Sequence, residues 1–272
     1  MTNVSVVLYK TPLEQLERLL QCLYASERIN KIYIIDNSPK RLPETSIFKD
    51  IRVEYIFNGR NLGYGKAHNI ALRESCKDNI QYHLVVNSDI YFENGTIEKL
   101  EDYMSANTDV ALLSPRVLYP DGRLQYLCKL LPRPSDLLLR RFLPEKMYKN
   151  RRATFELRQS GYNKIMNIPY LSGCFMLLRT EHVREIGFFD ERFFMYPEDI
   201  DLTRRLHSRH QTLFFPDVQI VHDHQQASYH SLRMLLIHIV NLCRYFNKWG
   251  WIYDPERDET NSAVLRSVSK VL

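Results

Sequence analysis

Apolar residues along this chain gather into short runs separated by stretches of helical periodicity, and that alternation sets the first expectation about the fold. Residues 4–9, 31–35, 53–57, 84–86 and 110–113 are such runs. Continuous rather than alternating apolarity marks strands covered on both faces. After the first run, Leu13, Leu16, Leu20 and Leu23 recur on one helical face, with Thr11 placed to cap, Pro12 at the first turn and Glu14 to complete a capping box. Further helices are expected over 66–76 and 93–104. Strands that alternate with helices cross over right-handed, so the expected architecture is α/β with a mostly parallel central sheet flanked by helices.

The second half continues the pattern with less regularity. Ser172-Gly173-Cys174 leads into an apolar strand at 175–178, a short helix is expected over 181–186, and an aromatic-rich stretch, 188–196, precedes Pro197-Glu198-Asp199-Ile200-Asp201. A helix over 198–209 and strands over 212–215 and 218–222 follow, the last ending on His222-Asp223-His224. Residues 231–251 form a broad apolar face interrupted by His238 and Asn241, far short of the ~20 apolar residues a bilayer span needs. That helix packs on the domain or lies on a membrane surface.

Composition changes this picture little. With 272 residues, 44% hydrophobic and 25% charged, the chain can bury a large core. Its N-terminus has no basic region followed by a cleavage site, so a cytoplasmic location is expected, and five scattered cysteines are expected to be reduced packing residues. Charge is more informative. Nine basic residues against three acids between Lys129 and Arg158 give that segment +6 of a net +5, leaving the remainder near neutral. Interleaved with leucines and prolines, it reads as a loop or flap suited to an anionic membrane surface or a phosphate-bearing partner rather than to nucleic acid, or simply as a solvated basic loop.

The candidate chemistry lies at strand ends. Tyr9 and Thr11, Asp36 and Asn37, and Asn87-Ser88-Asp89 would share one rim, the carboxyl edge where open α/β sheets bind ligands. Asn87-Ser88-Asp89 can equally form a plain turn. Gly63-Tyr64-Gly65 suggests a phosphate-binding turn or a flexible lead into a helix. His68 replaces the third glycine of a dinucleotide fingerprint and no GxxxxGK[ST] occurs, which sets aside NAD binding and P-loop hydrolysis. Glu198, Asp199 and Asp201 suit a helix N-terminus and also look catalytic.

Together these pieces resemble the family 2 inverting glycosyltransferases of GT-A fold, especially the bacterial rhamnosyltransferase-like branch that builds surface polysaccharides. The resemblance spans roughly 3–250 and rests on Val6–Tyr9, Ile35-Asp36-Asn37-Ser38, Asn61-Leu62-Gly63-Tyr64-Gly65 with Asn69, Asn87-Ser88-Asp89, Pro120-Asp121-Gly122, Ser172-Gly173, Gly187–Asp190, Tyr196–Leu202 and His222. It implies a dTDP- or UDP-sugar donor and a glycan or polyprenyl-diphosphate-linked acceptor. Asp36 would recognise the base, with Tyr9, Thr11, Asn37, Asn61, Gly63, His68, Asn69 and Asn87 lining the nucleotide pocket. Asp89 would bind Mn²⁺ or Mg²⁺, with His222 or His224 as a further metal ligand. Asp199 would be the general base beside Glu198, and Ser172, Gly173 and Asp201 would contact donor or acceptor. Asn87 departs from the family's first acid and His68 from a frequent arginine. The expected organisation is a transferase domain over 1–228, with a nucleotide-binding half (1–110), an acceptor half (111–228) and a basic flap near 128–165, then a helical extension over 229–272. A non-catalytic nucleotide-sugar-binding subunit and a nucleotidyltransferase are the competing readings. Peripheral membrane contact is a separate expectation.

Overall fold

The computed structural model describes residues 1–43, 50–137, 145–223 and 232–269. In chain order its elements are β1 (Thr2–Leu8), α1 (Leu13–Tyr24), β2 (Ile29–Asp36), β3 (Val53–Phe57), α2 (Tyr64–Lys77), β4 (Tyr82–Val86), β5 (Ile90–Phe92), α3 (Thr96–Ala106) and β6 (Val110–Leu118). Next come β7 (Cys128–Lys129), α4 (Glu145–Phe155), β8 (Met166–Asn167), β9 (Tyr170–Leu171), β10 (Phe175–Arg179), α5 (Thr180–Ile186), α6 (Glu198–His207), β11 (Gln211–His222), α7 (Leu232–Trp249) and α8 (Pro255–Ser269). The large sheet runs β3-β2-β1-β4-β10-β6-β11-β5, with β8 also on β11, and β7 pairs with β9 apart from it. Its longer ladders, β1 with β2 and β4, β2 with β3, and β6 with β11, are parallel, while β10 inserts antiparallel between β4 and β6.

Period-two alternation assigns each strand residue to one of two helical layers. Val4, Val6 and Leu8, with Leu84 and Val86, face Leu16, Leu19, Leu20 and Leu23 of α1 and Leu100 and Met104 of α3. Burying each α1 leucine contributes about 1.5–3 kcal/mol, so this face alone fixes the helix. Val85, Leu112, Met176 and Leu178 point the other way, toward Leu72, Val183, Leu202, Leu206 and Val264. On that side β1 presents Asn3 and Ser5, which no apolar contact would satisfy. They join a buried chain in which Asn3 donates to Ser75 Oγ (2.9 Å), Ser75 meets His83 Nδ1 (2.7 Å), and Ser5 meets His83 Nε2 (2.8 Å) and His68 Nδ1 (2.7 Å). Burial pushes His83 down to about 3 and lowers His68 as well, so both stay neutral.

Three local expectations are corrected. Thr11 does not cap α1: Pro12 occupies the cap position, and the Thr11 hydroxyl instead accepts from Tyr9 N–H at 3.3 Å. The strands expected over 212–215 and 218–222 are one strand, whose pairing with β6 is irregular between Phe215 and Gln219. The helix expected from residue 93 starts at Thr96, because β5 and a left-handed Gly95 come first. Within the basic segment, Arg151 pairs with Asp136 and Arg152 and Arg158 with Glu156, acids already included in its +6, while Arg133 pairs with Asp258 from outside it. Residues 138–144 of that segment lie outside the described residues, as does His224.

Two ion-pair clusters tie the C-terminal helices to α6. Asp201, fully buried, receives Arg205 Nε (2.9 Å), Lys248 Nζ (2.6 Å) and Trp249 Nε1 (2.9 Å). Arg204 grips Asp254 through two bonds of 2.8 and 2.7 Å. The first places the start of α6 against α7, and the second holds the last turn of α6 against the residue before α8, both by buried, directional contacts.

Candidate active site

The carboxyl ends of β1, β2 and β4 open on one cavity of about 470 Å³, lined by Val7, Tyr9, Asn37, Asn61, Gly63, Tyr64, Asn87, Ser88, Asp89, Ser172, Gly173, Cys174, Met195, Tyr196, Glu198, Asp199 and His222. Sequence reasoning placed a common rim there, and most of its candidates meet in it.

Asparagines build the wall beside β2. Asn37 Nδ2 donates to Gly63 O (3.2 Å) and its Oδ1 accepts from Asn58 (2.9 Å), while Asn61 Oδ1 accepts from Gly63 N–H (2.9 Å). Gly63 has φ +86°, and a Cβ there would lie 2.2 Å from the Phe194 carbonyl oxygen, so close backbone packing explains the glycine. Tyr64 N–H donates to that same oxygen at 2.9 Å.

Asp89 and His222 meet because β5 turns back antiparallel on the end of β11, pairing Ile90 with His222, and because Asp223 N–H donates to Asp89 O at 2.9 Å. His222 Nε2 lies 3.3 Å from Asp89 Oδ1 and 3.5 Å from Asn87 Nδ2. Its other nitrogen, Nδ1, lies 3.1 Å from Gln125 Oε1, and Gln125 Nε2 donates to His222 O at 2.8 Å, which fixes the amide and makes Nδ1–H the donor to Gln125 Oε1. Nε2 therefore faces the cavity. Burial alone would lower this imidazole, but the Cys174 sulfur and the Asp89 carboxylate outweigh it and push it up to about 10. With a ring nitrogen and a carboxylate oxygen converging at 3.3 Å on the cavity, the pair offers two donor atoms that favour a cation. Among the described residues no cluster of three or more His, Cys, Asp or Glu side chains could hold a metal. Asp89 and His222 fit one as a two-residue donor set in which other ligands come from solvent or substrate.

Asp199 opens α6. Its Oδ2 accepts from Gly173 N–H at 3.0 Å and its Oδ1 from Ile200 N–H at 2.8 Å. Burial raises this carboxyl, and the Gly173 bond and the Lys129 charge limit the rise. Glu198 is more deeply buried, its Oε2 has no hydrogen-bond partner among the described residues, and burial together with the Asp199 charge raises it well above the usual carboxylate range. The neighbouring acids are thereby split: the shared proton resides on Glu198, and Asp199 is the one that ionises first.

Tyr64 joins the two centres. Its hydroxyl lies 2.7 Å from Gly173 O and 3.0 Å from Asn87 Oδ1, so one side chain touches both the loop that holds Asp199 and the loop that carries Asp89.

Five sequence candidates do not reach the cavity. Asp36 is fully buried, accepting from Ser38 N–H (2.8 Å) and Tyr55 OH (2.5 Å). His68 lies beneath the floor on Ser5, and Asn69 clamps the aromatic loop through Phe189, accepting its N–H at 3.1 Å and donating to its O at 2.9 Å. Thr11 turns back to Tyr9, and Asp201 faces α7 rather than the cleft. Tyr64, Cys174, Met195, Tyr196 and Gln125 carried no role in the sequence reading. The Asn61–Gly65 turn drew attention to Tyr64's position, but nothing local pointed to Gln125.

Beyond Asp199 lies a second cavity of about 180 Å³, which shares Tyr196 and Asp199 with the first.

The family model described as Glycosyl transferase family 2 matches residues 4–187. An N-acetylglucosaminyl-diphospho-decaprenol L-rhamnosyltransferase of Mycobacterium tuberculosis is 30% identical over 240 residues, covering 82% of this chain and 76% of that protein. Among solved structures, GalNAc-T7 with UDP, GalNAc and Mn²⁺ superposes with a TM-score of 0.57 at 13% identity, over 81% of this chain but 42% of its own. The mannosyltransferase PcManGT from Pyrobaculum calidifontis, in complex with GDP-Man and Mn²⁺, gives 0.55 at 15% identity, over 99% of this chain and 75% of its own. At these identities the structural likeness is one of fold, and that fold is GT-A.

Proposed function

This chain belongs to glycosyl transferase family 2, and from that premise we propose that it transfers a sugar, with inversion, from a nucleoside diphosphate donor to a hydroxyl of a lipid-linked glycan in surface polysaccharide synthesis. The observation that carries this reading is that one cavity is lined both by a cation-favouring pair, Asp89 and His222, and by an ionisable carboxylate, Asp199. The likeness to the mycobacterial N-acetylglucosaminyl-diphospho-decaprenol L-rhamnosyltransferase supports the acceptor class and a deoxyhexose donor, which we place on dTDP or UDP.

In this reading the nucleoside lies across Val7, Tyr9 and Asn37, with Tyr9, half exposed, offering its ring to the base. Asp89 Oδ1 and His222 Nε2 would hold Mn²⁺ or Mg²⁺. When bound, such an ion neutralises charge developing on the leaving diphosphate. Asp199 takes the proton of the attacking hydroxyl. A carboxyl raised by burial is a stronger base than a solvated one, and such a base contributes ~10²–10⁴-fold. Glu198, kept protonated, does not compete for that proton and does not repel the donor. Gly173 N–H and Ile200 N–H hold the base in one orientation.

A peripheral membrane contact fits the same reading. On α7, Leu236 is 63% exposed and Val240 47%, and the turn that follows leaves Ile252 at 92% and Tyr253 at 84%. No described helix is long and apolar enough to cross a membrane.

The test is titration calorimetry of UDP and dTDP with and without Mn²⁺. Mn²⁺-dependent binding that is lost in Asp89→Ala supports the assignment, and binding indifferent to both the metal and the variant would overturn it.

A further inference from the structure

Resting on the donor-site and membrane-contact readings above, we propose that α7 couples the two. Docking of its outer face on an anionic lipid surface fixes the loop over residues 190–196, and with it one wall of the donor cleft, so that the donor binds more tightly at a membrane surface than in solution. The wall in question is Met195 and Tyr196, which both line the cleft. Tyr196 carries a side chain yet holds a left-handed backbone, with φ +53°. Such a conformation persists only where its surroundings over-determine it.

Those surroundings are the inner face of α7. His238 stacks on the Tyr196 ring with centroids 4.9 Å apart, and the buried Asn241 donates from Nδ2 to Met195 O at 2.9 Å. Arg244 donates to Arg192 O, and Lys248 Nζ donates to Asp190 at 3.0 Å. The contacts run from residue 238 to 248 on the helix and from 196 back to 190 on the loop, so the loop lies along one helix face. On its other side the same loop receives Tyr64 N–H on the Phe194 carbonyl, against which Gly63 packs. Asp199 follows three residues after Tyr196. Loosening α7 therefore reaches the cleft wall directly, and the Tyr64 turn through Phe194.

The outer face has a different chemistry. Leu236, Val240 and Arg244 recur at four-residue spacing and form one stripe, all exposed, with Ile239 exposed beside them. From Leu232 to Tyr253 the sequence contains no acid. Lys248 is engaged by Asp190 and Asp201, but Arg244 bonds only to a carbonyl and an amide oxygen, and among the described residues no acid offsets its charge. An apolar stripe that ends in a cation and is followed by exposed Trp251 and Tyr253 suits a helix lying among anionic lipid headgroups. A helix held by lipid on one face has fewer ways to leave the loop on its other face, which is the physical link between docking and the cleft wall. By reciprocity, nucleotide binding strengthens docking by the same factor.

The experiment uses the full chain with vesicles of phosphatidylcholine, alone or mixed with phosphatidylglycerol. Amide hydrogen exchange over residues 190–196 and calorimetric UDP affinity in Mn²⁺ are the two readouts. On the mixed vesicles, exchange is expected to slow and UDP affinity to rise, each by about fivefold or more, and UDP with Mn²⁺ is expected to tighten vesicle binding by the same factor as its own gain. Leu236→Asp with Val240→Asp should keep the solution UDP affinity and lose the vesicle effect. Asn241→Ala should co-sediment with vesicles like the parent and respond less in both readouts. His238→Ala, at a half-buried position, is the milder variant and should show the same uncoupling if Asn241→Ala fails to fold. Vesicle binding that changes neither readout would overturn the proposal, as would a parental response in both uncoupling variants or an equal response to phosphatidylcholine alone. Absence of vesicle binding would overturn the coupling and the membrane contact together. Absence of metal-dependent UDP binding would refute the transfer reading, while the exchange readout still reports whether docking fixes the loop.

Discussion

Replacing Tyr64 by Phe removes a single oxygen, and the structure states what depends on it. The hydroxyl is desolvated, held in its protonated form well above its ordinary range by burial, and sits 2.7 Å from Gly173 O and 3.0 Å from Asn87 Oδ1. Without it both acceptors face an apolar ring edge. Leaving a buried acceptor unsatisfied costs about 1–3 kcal/mol. For a protein of this size that is a fall in melting temperature of roughly 2–10 °C. The effect on transfer should exceed what that loss alone produces at assay temperature. Gly173 holds Asp199 through its N–H, and Asn87 stands 3.5 Å from His222, so the deletion loosens the base and the cation-favouring pair together. A displacement of about 1 Å at a reacting centre can cost ~10²-fold, so a kcat reduced between ~10- and ~10²-fold is expected, with donor KM raised as well. Thermal denaturation and steady-state transfer assays on the purified variant measure both. A variant that melts lower yet turns over at the parent rate would refute the link between Tyr64 and the two centres.

Other consequences follow from groups whose placement is equally definite. Asp201→Asn removes one partner from a fully buried cluster with Arg205, Lys248 and Trp249 and should cost about 3–5 kcal/mol in chemical denaturation without altering UDP affinity; a weakened donor affinity in a folded variant would return Asp201 to the cleft. Glu198 has a folded-state pKa raised by burial and by Asp199, so its favourable contribution is fully present below the unfolded value of about 4.3 and is lost as pH rises through the folded value. Glu198→Gln should therefore gain stability relative to the parent as pH rises through that window, and a melting-temperature difference independent of pH would contradict it. Leu236→Asp with Val240→Asp should reduce co-sedimentation with anionic liposomes severalfold, and unchanged sedimentation would remove α7 from the membrane contact.

Much of this arrangement is legible in the sequence because its strongest signals are long. The apolar runs of β1, β2 and β4 and the leucine spacing of α1 imply covered strands and a packed helix without tertiary information. Short elements are not legible: β5 is three residues, yet its pairing with β11 is what brings Asp89 to His222. α8 is a polar helix in which Val264 and Val268 are the buried apolar anchors, so its periodicity is faint. At the site, the sequence shows which residues end strands but not which face each one takes. Neighbours on a strand point to opposite sides, so Asn37 enters the cleft while Asp36 is turned to Tyr55. His68 lies one helical turn beyond Tyr64, and both stand near the cavity in sequence, but the floor of β1 separates His68 from it. The charge excess between Lys129 and Arg158 is legible in composition, whereas the pairing of its arginines with Asp136, Glu156 and the distant Asp258 is not.

The central claim is that Asp199 is the base and Asp89 with His222 the donor anchor, two functions on two walls of one cleft. Single-turnover transfer by Asp199→Asn, measured beside calorimetric UDP binding in Mn²⁺, tests it most directly. The account predicts donor affinity within about twofold of the parent and transfer slowed by ~10²–10⁴-fold. Transfer at the parent rate, or a loss of donor binding in step with transfer, would contradict it.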